Sequence, residues 1–268
     1  MSILNLAKKL AKEAGKIIEK EAKNLKIQEK AKHDLVTNAD KASEKFIIQQ
    51  IKKHFPDHGI LAEESAKSTA SLSEHDITWI IDPLDGTTNF AHGFPVYAIS
   101  IAVFQKEISK QSKNFDYISG EIIAGAIYNP NLDELFYTAK GKGAFLNGRR
   151  IHVSNTSSLR NSLAATGFPT THREINLPYL TKLLPHCQAI RRLGSAALDL
   201  AYIACGRLDT FWEFGLKPWD IAAGALLVKE AGGKVTDTNG NLLDLFGQDI
   251  LATNKILHPT IVNKFKDL

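Results

Sequence analysis

The chain has 268 residues, 44% of them hydrophobic and 23% charged, which is enough apolar material for one large core or two moderate ones and excludes a disordered chain. Two cysteines, Cys187 and Cys205, exclude a disulfide framework and a four-thiolate zinc site. The net charge is +4, and the excess lies in the first 60 residues, where thirteen Lys face eight acids; a nucleic-acid-binding surface would be more basic and more concentrated. The mainly apolar stretches 98–104 and 122–128 fall far short of the ~18 residues that a membrane helix needs. A globular, cytoplasmic protein that does not bind membranes is expected.

Apolar residues at Leu6, Leu10, Ala14, Ile17 and Ile18 have helical spacing. Glu13, Glu19 and Glu21, with no Arg, set this segment apart from a transit peptide. A second helix starts near Asn38 or Asp40 and ends at Phe55, before Pro56. Strands are predicted at 59–62, 77–82, 96–104, 121–128 and 135–138, with tight turns at 141–143 and 147–148. The Lys-rich stretch 105–117 reads as a solvated loop or hairpin end. Further on, strands at 162–166, 189–192, 207–213, 234–237 and 250–252 alternate with helices at 174–184, 195–205 and 218–231. Gly206 stops the second of these helices, and Gly232-Gly233 follows the third. Such alternation predicts a mixed α/β fold with helices layered on sheets, in two lobes, 1–150 and 151–268.

The stretch 68–105 contains no Lys or Arg, yet it holds Glu74, Asp76, Asp82 and Asp85, with Glu63 and Glu64 just before it. Asp82 ends an apolar run at the rim of a sheet, and Asp85 follows one turn later. Two ionised carboxylates crowded there repel each other and lose hydration, so one must hold a proton or a cation must arrive. Oxygen ligands without His or Cys suit Mg²⁺, or Mn²⁺, better than zinc. Pro83 has no N–H to donate and turns the chain out of the sheet, which frees the Leu84 carbonyl as a further ligand. Gly86-Thr87-Thr88-Asn89 then opens a helical turn whose unpaired amides suit a phosphate. Asp, Pro and Gly also favour plain turns, so the wider sequence must decide.

The segment WIIDPLDGTTNFAH at 79–92 resembles the first signature of the inositol monophosphatase family, and WDIAAGALLVKEAGG at 219–233 resembles its second. DLVTNAD at 34–40 and AEES at 62–65 match two further family motifs in the expected order, so that the resemblance spans nearly the whole chain. It implies a layered αβαβα sandwich, two or three Mg²⁺ per site, hydrolysis of small phosphate monoesters, a homodimer and inhibition by lithium. By the same resemblance, Glu63, Asp82 and the Leu84 carbonyl hold one metal, and Asp82, Asp85 and Asp220 hold a second. A weaker third ion sits near Glu63. Asp40 and Thr87 orient or deprotonate the attacking water, which makes Asp40, Glu63 and Thr87 the candidate catalytic residues. Gly86 and Thr87 amides receive the phosphate, Glu213 contacts substrate hydroxyls, and Gly194, Ser195 and Ala196 present amides to the substrate, with Asp85 and Asp220 also lining its site. Lys30 lies one residue short of the spacing of the family's active-site lysine and is left out of the set.

Catalysis of this kind is mostly positioning and charge neutralisation, and it needs no protein nucleophile. The foremost substrate is inositol 1-phosphate. Fructose 1,6-bisphosphate, 3′-phosphoadenosine 5′-phosphate and histidinol phosphate compete, because metal and phosphate ligands read only the shared group. Asp82-Pro-Leu-Asp-Gly-Thr also resembles the D-x-D-G-T of aspartyl-phosphate phosphatases, with one residue too many, and there the first Asp attacks phosphorus. A reading of another class is a regulatory protein that binds the transcription machinery, RNA polymerase included, through the Lys-rich first 60 residues; the intact acidic set favours catalysis.

Overall fold

The computed structural model describes residues 1–66, 70–107, 120–266 and 268, without the side chains of residues 70 and 71. Helices α1 (Ile3–Glu21) and α2 (Asn38–His54) start on hydroxyl caps: Ser2 accepts from the Asn5 amide, and Thr37 accepts from the amides of Ala39 and Asp40. Their apolar stripes, including Leu6, Leu10, Ile18, Ile47 and Ile51, are fully buried. Each such side chain contributes about 1.5–3 kcal/mol by leaving water. Between the two helices lies a hairpin of β1 (Ile27–Ala31) and β2 (Asp34–Thr37), which the sequence pattern did not predict. Every β1 residue is exposed, so no period-two alternation marks it.

The stripes of α1 and α2 cover one face of a seven-stranded sheet. In spatial order its strands are β3 (Gly59–Ala62), β4 (Ile77–Asp85), β5 (Ala98–Lys106), β6 (Gly120–Asn129), β7 (Glu134–Ala139), β8 (Ala144–Leu146) and β9 (Arg149–Ile151). Two short helices, α3 (Ala70–Glu74) and α4 (Thr87–Ala91), flank β4. β4 extends past the predicted end at 82, through Pro83, to Asp85. Its pairing with β5 shifts register between Asp82 and Asp85, which is where proline removes a ladder donor. The polar loop expected over 105–117 begins later than predicted, since β5 takes in 105 and 106; residues 108–119 lie outside the described set.

A second sheet holds β10 (Leu163–Thr166), β11 (Ala189–Arg191), β12 (Thr210–Phe214), β13 (Lys234–Thr236) and β14 (Asp249–Thr253) in the order β11-β10-β12-β14-β13. Helices α6 (Ala196–Ala204) and α7 (Pro218–Glu230) lie between the two sheets. Their Ala-rich faces allow close approach: a Cβ on Gly125 of β6 would stand 3.1 Å from the Cα of Ala223. One apolar core runs through this middle layer, joining Ile127 and Phe136 of the first sheet to Leu200 and Leu227, and these to Phe211 and Ile250 of the second. Helices α5 (Leu177–Leu183) and α8 (His258–Phe265) cover the outer face, with Leu183, Ile261 and Phe265 packed against Trp212. The layers are therefore α, β, α, β, α, as the sequence implied. α8 was not predicted, and the helix expected over 174–184 opens as a 3-10 turn, Arg173–Asn176, before α5. Among the described residues, no helix is long and apolar enough to cross a membrane.

Candidate active site

The rim of β4 and the starts of α4, α6 and α7 meet at one point. Asp82, Asp85 and Asp220 each place a carboxylate oxygen within 4.8 Å of the others. Asp82 is held from its own loop, its Oδ1 accepting from the Leu84 amide at 2.9 Å. The neighbouring backbone is fixed by Ser43 of α2, which donates to the Pro83 carbonyl at 2.9 Å. Asp220 sits in the first turn of α7, behind Pro218, and accepts from the Lys217 amide at 2.6 Å. An acid is favoured at that helix end.

Asp85 is anchored from the start of α6, in the layer between the sheets. Its Oδ2 accepts from the Ser195 hydroxyl at 2.6 Å and from the Ala197 amide at 2.8 Å. These donors, a side-chain hydroxyl and the Ala197 amide, are not the backbone amides of Gly194, Ser195 and Ala196 expected to face a substrate. Asn89 of α4 strengthens the same junction, donating to the carbonyls of Val96 at 2.7 Å and Leu193 at 2.8 Å.

Burial raises the titration of every acid here, and their mutual repulsion adds to it. Asp82 is pushed well above the usual carboxylate range by burial and by Glu63, Asp85 and Asp220. Asp220 is raised by burial and by Asp85 and Glu63. Asp85 is pushed up to about 6 by burial, against the pull of the Ser195 hydroxyl and the Ala197 amide.

Glu63 stands beside the three-acid group rather than in it. Lys30 of β1 reaches across and places its Nζ 3.0 Å from Glu63 Oε1, 2.8 Å from Glu64 Oε1 and 3.9 Å from Asp34 Oδ1. Burial pushes the Glu63 carboxyl up to about 7, and the Lys30 ammonium opposes it. Spacing alone leaves Lys30 out of the site. The signal that could have found it is the surplus of acids at 63 and 64, with no cation near them in sequence. Glu44 was also missed: its Oε2 accepts from the Glu64 amide at 2.8 Å and fixes the turn after β3.

Asp40 and Thr87, predicted as a pair, lie 2.8 Å apart from Oδ1 to Oγ1. The other Asp40 oxygen closes the capping box of α2 by accepting from the Thr37 amide at 2.8 Å. The Leu84 carbonyl, predicted to be free, lies 3.0 Å from Thr87 Oγ1 and so shares that hydroxyl. Gly86 caps α4 at φ 95°, and a Cβ there would stand 2.9 Å from the Val96 carbonyl oxygen and 3.2 Å from that of Gly194. Only glycine serves where both the left-handed backbone and the close approach are required.

Glu213 closes the far side at the end of β12, buried against the backbone of Gly167, and burial pushes it up to about 8 despite Arg192. Beneath it lies Asp199 of α6, which the sequence reading did not single out. It is 1% exposed, its Oδ1 has no hydrogen-bond partner among the described residues, and burial, Glu213 and Asp85 hold it well above the usual carboxylate range. Cys187 and Cys205 are free thiols.

Known proteins share this arrangement of sequence. The Inositol monophosphatase family pattern matches residues 1–268. The chain is 40% identical over 271 residues to the inositol-1-monophosphatase of Mesorhizobium japonicum, covering 99% of this chain and 96% of that one. It is also 40% identical over 273 residues to Nus factor SuhB of Escherichia coli K12, covering 99% and 97%. Among solved structures, the extragenic suppressor protein suhB of Bartonella henselae superposes with a TM-score of 0.87 at 40% identity, covering 99% of both chains.

Proposed function

The chain belongs to the inositol monophosphatase family, and from that premise we propose that it hydrolyses small phosphate monoesters with Mg²⁺ as cofactor, inositol 1-phosphate first among them. The observation that carries this reading is the convergence of Asp82, Asp85 and Asp220 within 4.8 Å. Two buried carboxylates and a half-buried one at that spacing are costly unless protonated or met by a cation, and Lys30 contacts only the Glu63 side. An all-oxygen donor set fits a hard divalent ion, Mg²⁺ or Mn²⁺.

Asp82, Asp85, Asp220, Glu63 and the Leu84 carbonyl would hold the metal. Bound there, Mg²⁺ would supply Lewis acidity and neutralise charge on the phosphoryl oxygens. The chain's own residues do the positioning. Thr87 donates its hydroxyl proton to Asp40, which leaves its oxygen lone pair to accept from the attacking water. Amides of Gly86 and Thr87 receive the phosphate at the start of α4. Glu213, protonated near neutrality, can both donate to and accept from a substrate hydroxyl, while Gly194, Ser195 and Ala196 wall the same side. The active form is taken to be a cytoplasmic homodimer, which light scattering of the purified protein checks.

Phosphate release from inositol 1-phosphate is expected to require millimolar Mg²⁺ and to be inhibited by lithium. No release from any of a panel of polyol, sugar and nucleotide monoesters would remove the reading. Hydrolysis of an ester chiral at phosphorus is expected to invert its configuration, as a single attack by water does; retention would instead mean two displacements through an aspartyl-phosphate intermediate.

The relative named Nus factor SuhB supports a second reading, association with the transcription machinery. Co-purification with RNA polymerase that survives Asp85→Asn would establish it as independent of catalysis, and failure to co-purify would remove it.

A further inference from the structure

Gly167 follows the last residue of β10, and the parallel pairing of Thr166 with Trp212 sets it beside Glu213 of β12. Its φ lies outside the left-handed region, so its backbone does not require glycine. Space does. A Cβ built at this position would overlap the Glu213 carboxyl, and its three nearest neighbours are Oε2, Cδ and Oε1 of that one group. The Glu213 side chain therefore lies folded over the Gly167 α-carbon.

This seat is fixed from behind. Asn176, fully buried, donates through Nδ2 to the Gly167 carbonyl at 2.6 Å and to Thr166 Oγ1 at 2.7 Å, and its Oδ1 accepts from the Trp212 indole at 2.6 Å. Thr166 Oγ1 donates in turn to the Trp212 carbonyl at 2.7 Å. A satisfied buried network of this kind is rigid, so the Gly167 backbone does not retreat from an added side chain. What yields is the tip of Glu213. Phe168, next in the chain, lines a cavity of about 750 Å³ that also takes in Thr88 of α4, beside the phosphate cradle. Glu213 thus stands at the edge of the space open to a leaving group. A shift of its carboxyl by about 1 Å would undo a hydrogen bond to a hydroxyl held there.

We propose that Gly167 is a positioning residue for Glu213: the space left by its absent side chain seats the carboxyl toward the hydroxyls of the leaving group, and so favours polyol phosphates over esters without hydroxyls. The inference rests on the phosphatase reading above and deepens its account of substrate choice. Steady-state kinetics of the full chain with Mg²⁺ would compare inositol 1-phosphate with p-nitrophenyl phosphate, whose leaving group carries no further hydroxyl. Gly167→Ala should lower kcat/KM for inositol 1-phosphate roughly tenfold, the effect of one lost hydrogen bond, and leave the aryl ester within about twofold. In a Glu213→Ala background the same change should cost nothing further, because a residue that acts through Glu213 has no effect once Glu213 is gone. That cycle decides the matter even if the aryl ester is inert. No loss, equal losses for the two esters, a loss that persists in the Glu213→Ala background, or a Gly167→Ala chain that no longer folds would each overturn the proposal, as would a wild type that hydrolyses only the aryl ester. If neither ester turned over, the phosphatase reading would fall, and a crystal structure of Gly167→Ala would decide the seat alone. A displaced Glu213 carboxyl would uphold it, and a carboxyl left in place would reject it.

Discussion

The Ser195 hydroxyl donates to Asp85 Oδ2 at 2.6 Å, across 110 residues of sequence, from the start of α6 to the end of β4. The same oxygen accepts from the Ala197 amide, so the start of α6 steadies a carboxylate that burial would otherwise keep protonated. Assembly of the site and packing of α6 against the first sheet are therefore one event.

Ser195→Ala removes one of the two donors to Asp85. Hydrogen bonds to charged groups are worth about 1.5–3 kcal/mol. Asp85 should then titrate above its present value of about 6, and Mg²⁺ affinity at pH 6.5 should fall roughly tenfold, by calorimetry, by the ~1.4 kcal/mol-per-decade conversion. Because the proton competes with the metal, the deficit should shrink at pH 9.

The stability of the metal-free protein should fall as pH rises. Asp85, Glu63 and Glu213 are pushed up to about 6, 7 and 8, above the values they have in an unfolded chain. The native state therefore holds more protons than the unfolded one through this window, and stability declines with pH. Their contribution is complete below about pH 4, the ordinary carboxylate range, and is lost through pH 6–8. Tm measured with chelator should drop between pH 5 and 8.5, and saturating Mg²⁺ should flatten the slope.

Lys30→Met removes the cation that contacts Glu63 at 3.0 Å and Glu64 at 2.8 Å. Glu63 should titrate above about 7 once its counter-ion is gone. The acidic limb of the pH–kcat/KM profile should move up by about one unit, the shift a nearby opposite charge typically supplies. Lys30→Arg should keep the limb in place.

Much of this is legible in the chain because the acids lie in unusual company. Asp82 and Asp85 stand in a stretch free of Lys and Arg, and Asp220 follows a helix-starting proline, so crowding and helix chemistry mark all three in the sequence itself. The buried strands and helices are legible because apolar periodicity records burial. The same logic explains what was missed. β1 buries nothing, so its pattern is silent, and with it goes Lys30, whose role depends on a hairpin folding over the acids. Asp199 sits inside an apolar helix, where nothing local distinguishes a polar residue facing a site from one facing water. The use of Ser195 and Ala197 to hold Asp85 is a contact between distant segments, and spacing carries no trace of it.

Gly86→Ala should destabilise the fold and impair the phosphate cradle together. A side chain at φ 95° costs about 1–2 kcal/mol. The added Cβ would also stand 2.9 Å from the Val96 carbonyl oxygen, so backbone must move. Thermal unfolding should shift down by several degrees, and kcat should fall more than KM rises.

A crystal grown with millimolar Mn²⁺ and measured for anomalous scattering offers the decisive view of the acid cluster. A peak bounded by carboxylate oxygens of Asp82, Asp85 and Asp220 is expected, with the Leu84 carbonyl or Glu63 completing the set. An empty cluster at that concentration, with the three side chains turned apart or each paired to a Lys or Arg, would show that these acids do not serve a metal.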